Sequence, residues 1–248
     1  MGWPSSSETV TITLVRHGQA SYLEGDNYDR LSPIGERQSR LLGEYWAARG
    51  ATFDACFSGP VERHLSTAAI VADIMLGAER RWPETAVLPE FDEFPGEEIM
   101  REFTPILIER HAEIRRLAGE FQAVTTKSER KRVLDVLFPA VAERWVSGEV
   151  SSAEIESWGE FAARVARGID LVRKRLGPGS SAVVFTSAGP TAVAASLALD
   201  TTPRKTFELT FSPRNASLTE LFCNGRQVAL GAFNTHPHLD EPDLLTYR

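Results

Sequence analysis

Cysteine is scarce in this chain, which has only Cys56 and Cys223 among its 248 residues. Two cysteines are too few for a disulfide scaffold, and neither has the spacing of a metal-binding pair, so we expect a reducing, cytoplasmic location. No window approaches the roughly 18 consecutive apolar residues that a membrane-spanning helix requires. Residues 1–10 also lack a basic segment followed by an apolar one, so we expect neither an export signal nor a membrane partner.

The chain also lacks an excess of positive charge. It carries 27 Lys and Arg against 34 Asp and Glu, a net charge of −7, with a sequence pI near 5.4. This balance disfavours a nucleic-acid partner but allows a small anionic substrate. There is no internal repeat, low-complexity tract or long Gly/Ser/Pro linker, and the overall composition is that of an ordinary globular protein. We therefore predict one domain over residues 1–248.

What the sequence does contain is an alternation of strand and helix patterns. Residues 10–16 (VTITLVR) alternate apolar residues with threonines, which predicts a strand. Residues 32–50 begin with Ser-Pro, continue with apolar residues at helical spacing and end with Gly, which predicts a helix. Similar patterns predict strands at about 55–57 and 182–185, and helices at about 61–75, 157–176 and 190–199. This order predicts an α/β fold, a three-layer αβα sandwich around a mostly parallel sheet.

Two regions depart from the alternation. Apolar runs at 207–211, 218–223 and 228–233, the last two flanking Asn224-Gly225, predict antiparallel strands near the C-terminus. Residues 89–99 are acidic and are interpreted as a loop. Residues 100–148 mix charges with scattered apolar positions and are interpreted as helical. We therefore expect a helical cap or insertion at about 97–150.

Polar residues that follow predicted strands are the candidates for chemistry, because ligands of open α/β sheets bind beyond the carboxyl ends of the strands. Arg16 and His17 follow the first strand. Arg63 lies in the first turn of the helix after the second strand, where the helix N-terminus also favours anions. Two arginines beside one histidine favour a dianionic phosphoryl group as the ligand.

These segments resemble the signatures of the histidine phosphatase superfamily, also called the phosphoglycerate mutase-like family. The resemblance is carried by residues 14–20 (LVRHGQA), 31–38 (LSPIGERQ) and 59–68 (GPVERHLSTA), and by the C-terminal segments 215–218 (NASL), 233–239 (FNTHPHL) and 245–248 (LTYR). Only about 97–150 is unmatched. The resemblance implies a phosphatase that hydrolyses a small phosphorylated metabolite through a phosphohistidine, with no metal or organic cofactor.

The resemblance also assigns roles to individual residues. His17 matches the nucleophile, and Arg16 and Arg63 match the arginines that hold the phosphate oxygens. The remaining positions of the phosphate-binding loops are Gly18, Gln19, Ala188 and Gly189. In physical terms, the arginines neutralise the oxygens and hold the group in line with the imidazole, which is most of what phosphoryl transfer requires.

The family also uses a carboxylic acid that protonates the leaving alcohol and later activates water. Residues 89–93 (PEFDE) fit its usual P-x-L-x-E pattern with Phe91 in the apolar position. We assign the general acid to Glu93, with Glu90 as the runner-up. Crowding of acids near one site raises the pKa of at least one of them by like-charge repulsion, which suits a general acid near neutral pH.

One departure from the pattern bears on activity. After the late strand the family has Ser-His-Gly, whereas residues 187–189 here are Ser-Ala-Gly, and Ala188 has no side-chain donor. Loss of such a donor costs about 3 to 4 kcal/mol of transition-state stabilisation. His236 or His238 could reach the pocket instead, or the backbone N–H groups at the start of the following helix could compensate. The two other histidines, His64 and His111, are interpreted as surface or half-buried helix positions.

Two alternatives to a phosphatase remain at this point. A catalytically impaired member would bind phosphorylated ligands, or a protein partner, without turnover, and Ala188 motivates this alternative. A phosphoglycerate mutase is disfavoured, because it needs the full transfer machinery. The expected small-molecule partner is a phosphorylated substrate or inorganic phosphate, whose identity the sequence leaves open, as it leaves open a homodimer. Residues 127–132, rich in Lys and Arg, either attract an anionic substrate or form a solvated helix face.

Overall fold

A computed structural model describes residues 9–21, 29–225 and 227–247. The strands, in chain order, are β1 (Val10–Arg16), β2 (Ala55–Ser58), β3 (Thr85–Val87), β4 (Ser181–Thr186), β5 (Leu218–Cys223) and β6 (Val228–Thr235). The helices are α1 (Pro33–Arg49), α2 (Glu62–Gly77), α3 (Gly96–Arg110), α4 (Ala112–Ala123), α5 (Lys127–Val146), α6 (Trp158–Arg175), α7 (Ala188–Leu199) and α8 (Pro203–Leu209), with short 3₁₀ turns at Pro89–Phe91 and Pro242–Leu244.

The six strands form one sheet in the order β3-β2-β4-β1-β5-β6. Strands β3, β2, β4 and β1 are mutually parallel. Strand β5 is antiparallel to both β1 and β6, so β5 alone is reversed in the sheet that the structure describes. The predicted α/β class with a mostly parallel sheet and an antiparallel C-terminal hairpin is confirmed.

Helices cover both faces of this sheet. On one face, Ile12 of β1 packs in a buried cluster with Ile169 of α6 and Ala194 of α7. On the other face, Val183 of β4 packs with Leu42 of α1 and with residues of α2. Successive strand residues point to opposite faces, so this alternation makes the three layers. The central strand β4 is fully apolar from residue 182 to 185, because both of its faces are covered.

Local capping signals fix the ends of the helices that position the site. The Ser32 side chain accepts a hydrogen bond from the backbone N–H of Gly35, and Pro33 occupies the first turn, so α1 begins where the sequence predicts. Ser157 and Glu160 form the predicted capping box at the start of α6. These caps satisfy backbone donors that would otherwise be orphaned at the helix ends.

The region at about 97–150 contains α3, α4 and α5. These helices share a buried apolar cluster, with Phe103 and Leu137 at its centre, and this cluster continues onto Phe161 of α6 and Phe207 of α8. The inserted helices therefore pack on the α6 and α7 side of the sheet. No helix in the described part of the chain combines the length and the apolarity needed to cross a membrane.

Two local predictions were wrong. Residues 207–211 are not a strand, because Thr202 caps a helix and Pro203 fills its first turn, so α8 runs through residue 209. The acidic segment 89–99 is not a loop throughout: it begins with a 3₁₀ turn and α3 starts at Gly96. Acidic side chains at a helix N-terminus are favoured by the helix dipole, which explains why Glu97 and Glu98 lie in the first turn of α3.

Candidate active site

The site lies where three neighbouring parallel strands end. Strands β2, β4 and β1 are adjacent in the sheet, and their carboxyl ends share one edge. His17 follows β1 directly, Gly59 follows β2, and Ser187 follows β4. The backbone N–H of His17 donates to the carbonyl of Thr186 at 2.8 Å, which fixes the ends of β1 and β4 together. The topology therefore brings the Arg-His-Gly segment beside the starts of α2 and α7.

His17 is held as a neutral imidazole with one nitrogen available. Its Nδ1 lies 2.7 Å from the carbonyl oxygen of Gly18. Because a carbonyl only accepts hydrogen bonds, Nδ1 carries the proton and Nε2 keeps its lone pair. The side chain is buried, and burial, followed by the charges of Arg63 and Arg16, holds the pKa of His17 well below its ordinary value. An unprotonated Nε2 is the form that attacks phosphorus.

Arg16 and Arg63 flank this imidazole, and both are largely buried, with 6% and 9% of their surface exposed. Arg16 donates through Nη1 to the carbonyl of Pro213. Arg63 donates through Nη1 to the Asp29 carboxylate at 2.9 Å, and Asp29 also accepts from the backbone N–H of Glu62 at 2.9 Å. Asp29 thus caps α2 and holds Arg63 in place. No motif or spacing in the sequence predicts this role.

Gly18 and Gln19 are tied to neighbouring side chains. The backbone N–H of Gly18 donates to Thr67 Oγ1 at 3.1 Å, and Thr67 in turn donates to the carbonyl of Arg63 at 2.8 Å. The side-chain oxygen of Gln19 accepts from Ser32 Oγ at 2.8 Å. These bonds couple the segment after β1 to the first turns of α1 and α2, and so fix the relative positions of His17 and Arg63.

Glu93 reaches the first turn of α7 at the same edge of the sheet. Its Oε2 accepts from the backbone N–H of Gly189 at 3.1 Å, and its Oε1 accepts from that of Phe94 at 3.0 Å. A Cβ at position 189 would lie 2.0 Å from Oε1, so only glycine allows this approach. Burial of the carboxyl group raises the pKa of Glu93. The Cβ of Glu90 instead faces Gly168 of α6, so Glu93 is the one of the two candidates that contacts the start of α7.

Arg164 of α6 braces the segment that carries Glu93. Its Nη1 donates to the carbonyls of Pro89, Glu90 and Asp92 at 3.0, 3.2 and 3.0 Å. The other side of the guanidinium donates to Glu156 through Nε at 3.1 Å and Nη2 at 2.5 Å. The sequence does not predict this contact, because a single arginine in an amphipathic helix carries no signal for a partner 72 residues away.

Replacement of Arg164 by alanine is expected to loosen this segment. The loss of a charged donor to three carbonyls should lower the free energy of unfolding by about 2 kcal/mol. If Glu93 is a general acid, hydrolysis of alkyl phosphates, which need protonation of a poor leaving group, should slow more than that of activated aryl phosphates. Denaturant unfolding and steady-state kinetics measure the two effects. Arg164→Lys is the matched variant, since it keeps the charge but not the fork, and it should remain impaired. An equal fractional loss of rate on both substrate types, relative to the unmodified protein, would contradict this role.

The structure places one of the remaining candidates at the site and gives the two others contacts with different residues. Ala188 begins α7 between Ser187 and Gly189, so it lies at the site. His236 contacts Arg214, and the ring of His238 packs 6.1 Å from that of Tyr45 in α1. Neither histidine is hydrogen-bonded to His17 in the part of the chain that the structure describes. That either of them replaces the missing histidine therefore stays a prediction.

The interpretation of His64 as a surface or half-buried helix position was wrong. His64 is fully buried, and its ring centroid lies 5.6 Å from that of His17. Its Nε2 is 2.5 Å from Ser187 Oγ. His111 is half-buried in the inserted region as predicted, and it pairs with Glu149 at 2.6 Å. Helical periodicity did not identify His64, because it predicts which face of α2 is buried but not what that face meets at its N-terminal end.

A cavity of about 440 Å³ opens beside Arg16, the last residue of β1. Arg16 and Gln19 line it on the side of the site, and Lys131 and Asp135 line it from α5. Its remaining lining residues are Thr210, Phe211, Thr246 and Tyr247. The inserted helices thus contribute side chains next to the site. Among residues 9–21, 29–225 and 227–247, no group of three or more His, Cys, Asp or Glu side chains is arranged to hold a metal ion.

Comparison with known families agrees with this geometry. The model of the histidine phosphatase superfamily (branch 1) matches residues 12–115 and 116–236. The matched segments cover most of the sequence, and the chain belongs to this superfamily.

Curated relatives match over shorter stretches. A 2,3-bisphosphoglycerate-dependent phosphoglycerate mutase from Nitrosomonas europaea is 33% identical over 84 residues, which are 30% of this chain and 36% of that protein. A broad-specificity phosphatase from Saccharomyces cerevisiae is 33% identical over 67 residues, 25% of this chain and 29% of that protein. The chain thus aligns with only about a third of the length of these relatives.

A solved structure matches the fold over nearly its whole length. Phosphoserine phosphatase from Entamoeba histolytica, in complex with 3-phosphoglyceric acid, is similar with a TM-score of 0.59 at 18% sequence identity. The match covers 93% of this chain and 99% of that one. At this identity the likeness establishes the fold, and the activity has to be argued from the site.

Proposed function

We propose that this protein is a phosphatase that hydrolyses a small phosphate monoester through a phosphohistidine on His17. The observation that carries the proposal is a neutral histidine with a free Nε2, flanked by two buried arginines at the carboxyl ends of the parallel strands. Nε2 attacks phosphorus and displaces the alcohol, which takes a proton from Glu93. Water then attacks the phosphohistidine, Glu93 accepts its proton, and inorganic phosphate leaves with Nε2 restored.

Arg16 and Arg63 stabilise the transferred group in this scheme. The charge of the phosphoryl oxygens is spread over the transition state, so fixed cations beside the imidazole lower the barrier without reorganisation. The Asp29 carboxylate is bonded to Arg63. A bound phosphate dianion is expected to compete with this carboxylate for the guanidinium, since both accept from the same planar donor group.

The organic part of the substrate is proposed to occupy the cavity beside Arg16. Its volume of about 440 Å³ suits a small metabolite. Phe211 and Tyr247 offer aromatic surface there, while Lys131 lies 3.0 Å from Asp135 and leaves the pair close to neutral. We infer a substrate with an apolar or mildly polar body, because the lining offers no unpaired cation from α5 for a second strongly anionic group.

A second candidate is a member that binds phosphorylated ligands without turnover. It is favoured by Ala188, which removes a donor from the start of α7. The two proposals differ in one respect: both need the arginines for anion affinity, but only a phosphatase releases phosphate.

The test is steady-state phosphate release from an activated aryl phosphate in metal-chelating buffer. The unmodified protein is expected to turn over, and Arg63→Ala should lower kcat/KM by about 10²-fold, because one fixed charge is removed from the transition state. Arg40→Ala, which removes an exposed arginine of α1 that pairs with Glu36, is the matched control and should leave the rate unchanged. Phosphate binding that depends on Arg63 without any turnover would instead establish the binding protein.

A further inference from the structure

His64 is a buried histidine that the scheme above does not use. It follows Arg63 in the first turn of α2, and none of its surface is exposed. A histidine in that position needs space at the end of β2, and the structure provides it through Gly59. A Cβ at position 59 would lie 2.3 Å from His64 Nδ1, so no other residue fits there beside the ring.

The ring of His64 extends across the end of β4 towards His17. Its Nε2 is 2.5 Å from the hydroxyl of Ser187, directly after β4. Its centroid is 5.6 Å from that of His17, directly after β1, with the rings tilted by 38°. This separation is within the roughly 4.5–7 Å of aromatic rings in contact. His64 therefore joins the three strand ends over which the phosphoryl group on His17 would lie.

Ser187 also departs from the usual arrangement of a serine at the start of a helix. It is the residue before α7, where a serine side chain ordinarily caps the helix, yet it makes no capping hydrogen bond. Its hydroxyl is 1% exposed and is turned to His64 instead. Burial lowers the pKa of His64, so the imidazole is neutral and has one donor nitrogen and one acceptor nitrogen. If Nε2 donates to Ser187 Oγ, the hydroxyl hydrogen is free to donate elsewhere.

We propose that His64 and Ser187 form a donor pair on the β4 side of the phosphoryl site, and that this pair replaces the side-chain donor that Ala188 cannot supply. Ser187 contacts the phosphoryl oxygens, and His64 acts through it as a positioning residue that turns the hydroxyl hydrogen towards them. The inference deepens the proposed function and rests on it.

The pair predicts a specific pattern in a double-mutant cycle on aryl phosphate hydrolysis. His64→Ala and Ser187→Ala should each lower kcat/KM by about 10²-fold. The double variant should lose no more than the stronger single variant, because both changes remove the same donor. His111→Ala, a half-buried histidine of the inserted region, is the control and should stay within threefold. A His64→Ala enzyme within threefold of the unmodified rate, or a multiplicative double variant, would overturn the proposal.

A histidine introduced at position 188 distinguishes a loss of catalytic function in His64→Ala from a loss of folding. In the His64→Ala background, Ala188→His should raise kcat/KM by at least tenfold, because an imidazole returns to the β4 side. In the unmodified background the same change should give no comparable gain, since the donor is already present. No rescue in a double variant that unfolds at the same denaturant concentration as His64→Ala would count against the pair.

Binding of inorganic phosphate distinguishes failure of this inference from failure of the proposed function. Phosphate should shift the ring nitrogen resonances of His64 in the unmodified protein, and Ser187→Ala should abolish that shift while phosphate still binds. This readout does not need turnover. Unchanged His64 resonances at saturating phosphate would overturn the pair even in an active phosphatase. A shift without turnover would support the pair and refute the phosphatase.

Discussion

Replacement of His17 by alanine is expected to lower phosphate release by at least about 10⁴-fold, because the step that forms the covalent intermediate loses its nucleophile. Nε2 is the only nitrogen of this imidazole with a free lone pair, since Nδ1 is bonded to the Gly18 carbonyl. No other group in the scheme supplies a nucleophile. The effect should appear in kcat with every substrate, activated or not, because all of them pass through the same intermediate.

Phosphate affinity separates this chemical effect from a collapse of the site. His17→Ala keeps both arginines, so inorganic phosphate should still bind with an affinity within about tenfold of the unmodified protein, as calorimetry would measure. His111→Ala again serves as the matched histidine control for the rate. A His17→Ala protein that retains full turnover would show that the phosphohistidine mechanism is wrong.

The second large effect is expected for Glu93→Gln. An amide cannot protonate the leaving alcohol, so kcat for an alkyl phosphate should fall by about 10³-fold. The initial release of nitrophenol from a nitrophenyl ester, which reports formation of the phosphohistidine, should slow far less, because this leaving group departs without a proton. Glu90→Gln is the matched control: it lies in the same acidic segment but faces α6, and it should change neither rate. The opposite result, with Glu90 controlling the leaving-group dependence, would transfer the role to the runner-up.

The pH dependence follows from the same carboxyl group. Burial raises the pKa of Glu93, so its protonated form, which is the general acid, persists to higher pH than that of an ordinary glutamate. Hydrolysis of alkyl phosphates should therefore fall as the pH rises through this raised pKa. Glu93→Gln should remove that alkaline limb from the kcat profile. An alkaline decrease in kcat that persists in Glu93→Gln would have to come from the titration of another group.

The fold could be predicted from the sequence because its signals are local. The Ser32-Pro33 start of α1, the Ser157 and Glu160 capping box of α6 and the Asn224-Gly225 turn each determine a short segment by its own hydrogen bonds. Residues 207–211 were mispredicted because their apolar spacing fits either element, and Thr202-Pro203 decides for a helix.

The site residues likewise fall into two groups: those that a sequence motif identifies and those that only the structure reveals. His17 and Arg63 stand in recognisable motifs, and the parallel order of the strands accounts for their meeting at one edge of the sheet. Asp29, Arg164 and His64 could not be found, since each acts on a segment far away in the chain. The position of His64 in particular can be interpreted only beside Gly59 and Ser187, which the ends of β2 and β4 bring together. The roles of all these residues stay predictions until the variants are measured.

The most direct test of the account is to detect the phosphoenzyme itself. The protein is mixed with an activated aryl phosphate in metal-chelating buffer, stopped in base within the first turnover and digested for mass spectrometry, since phosphohistidine survives base. A phosphoryl group on the peptide that contains His17, absent from His17→Ala, is the predicted result. Phosphate release at the full rate with no phosphorylated His17 peptide would contradict the central claim.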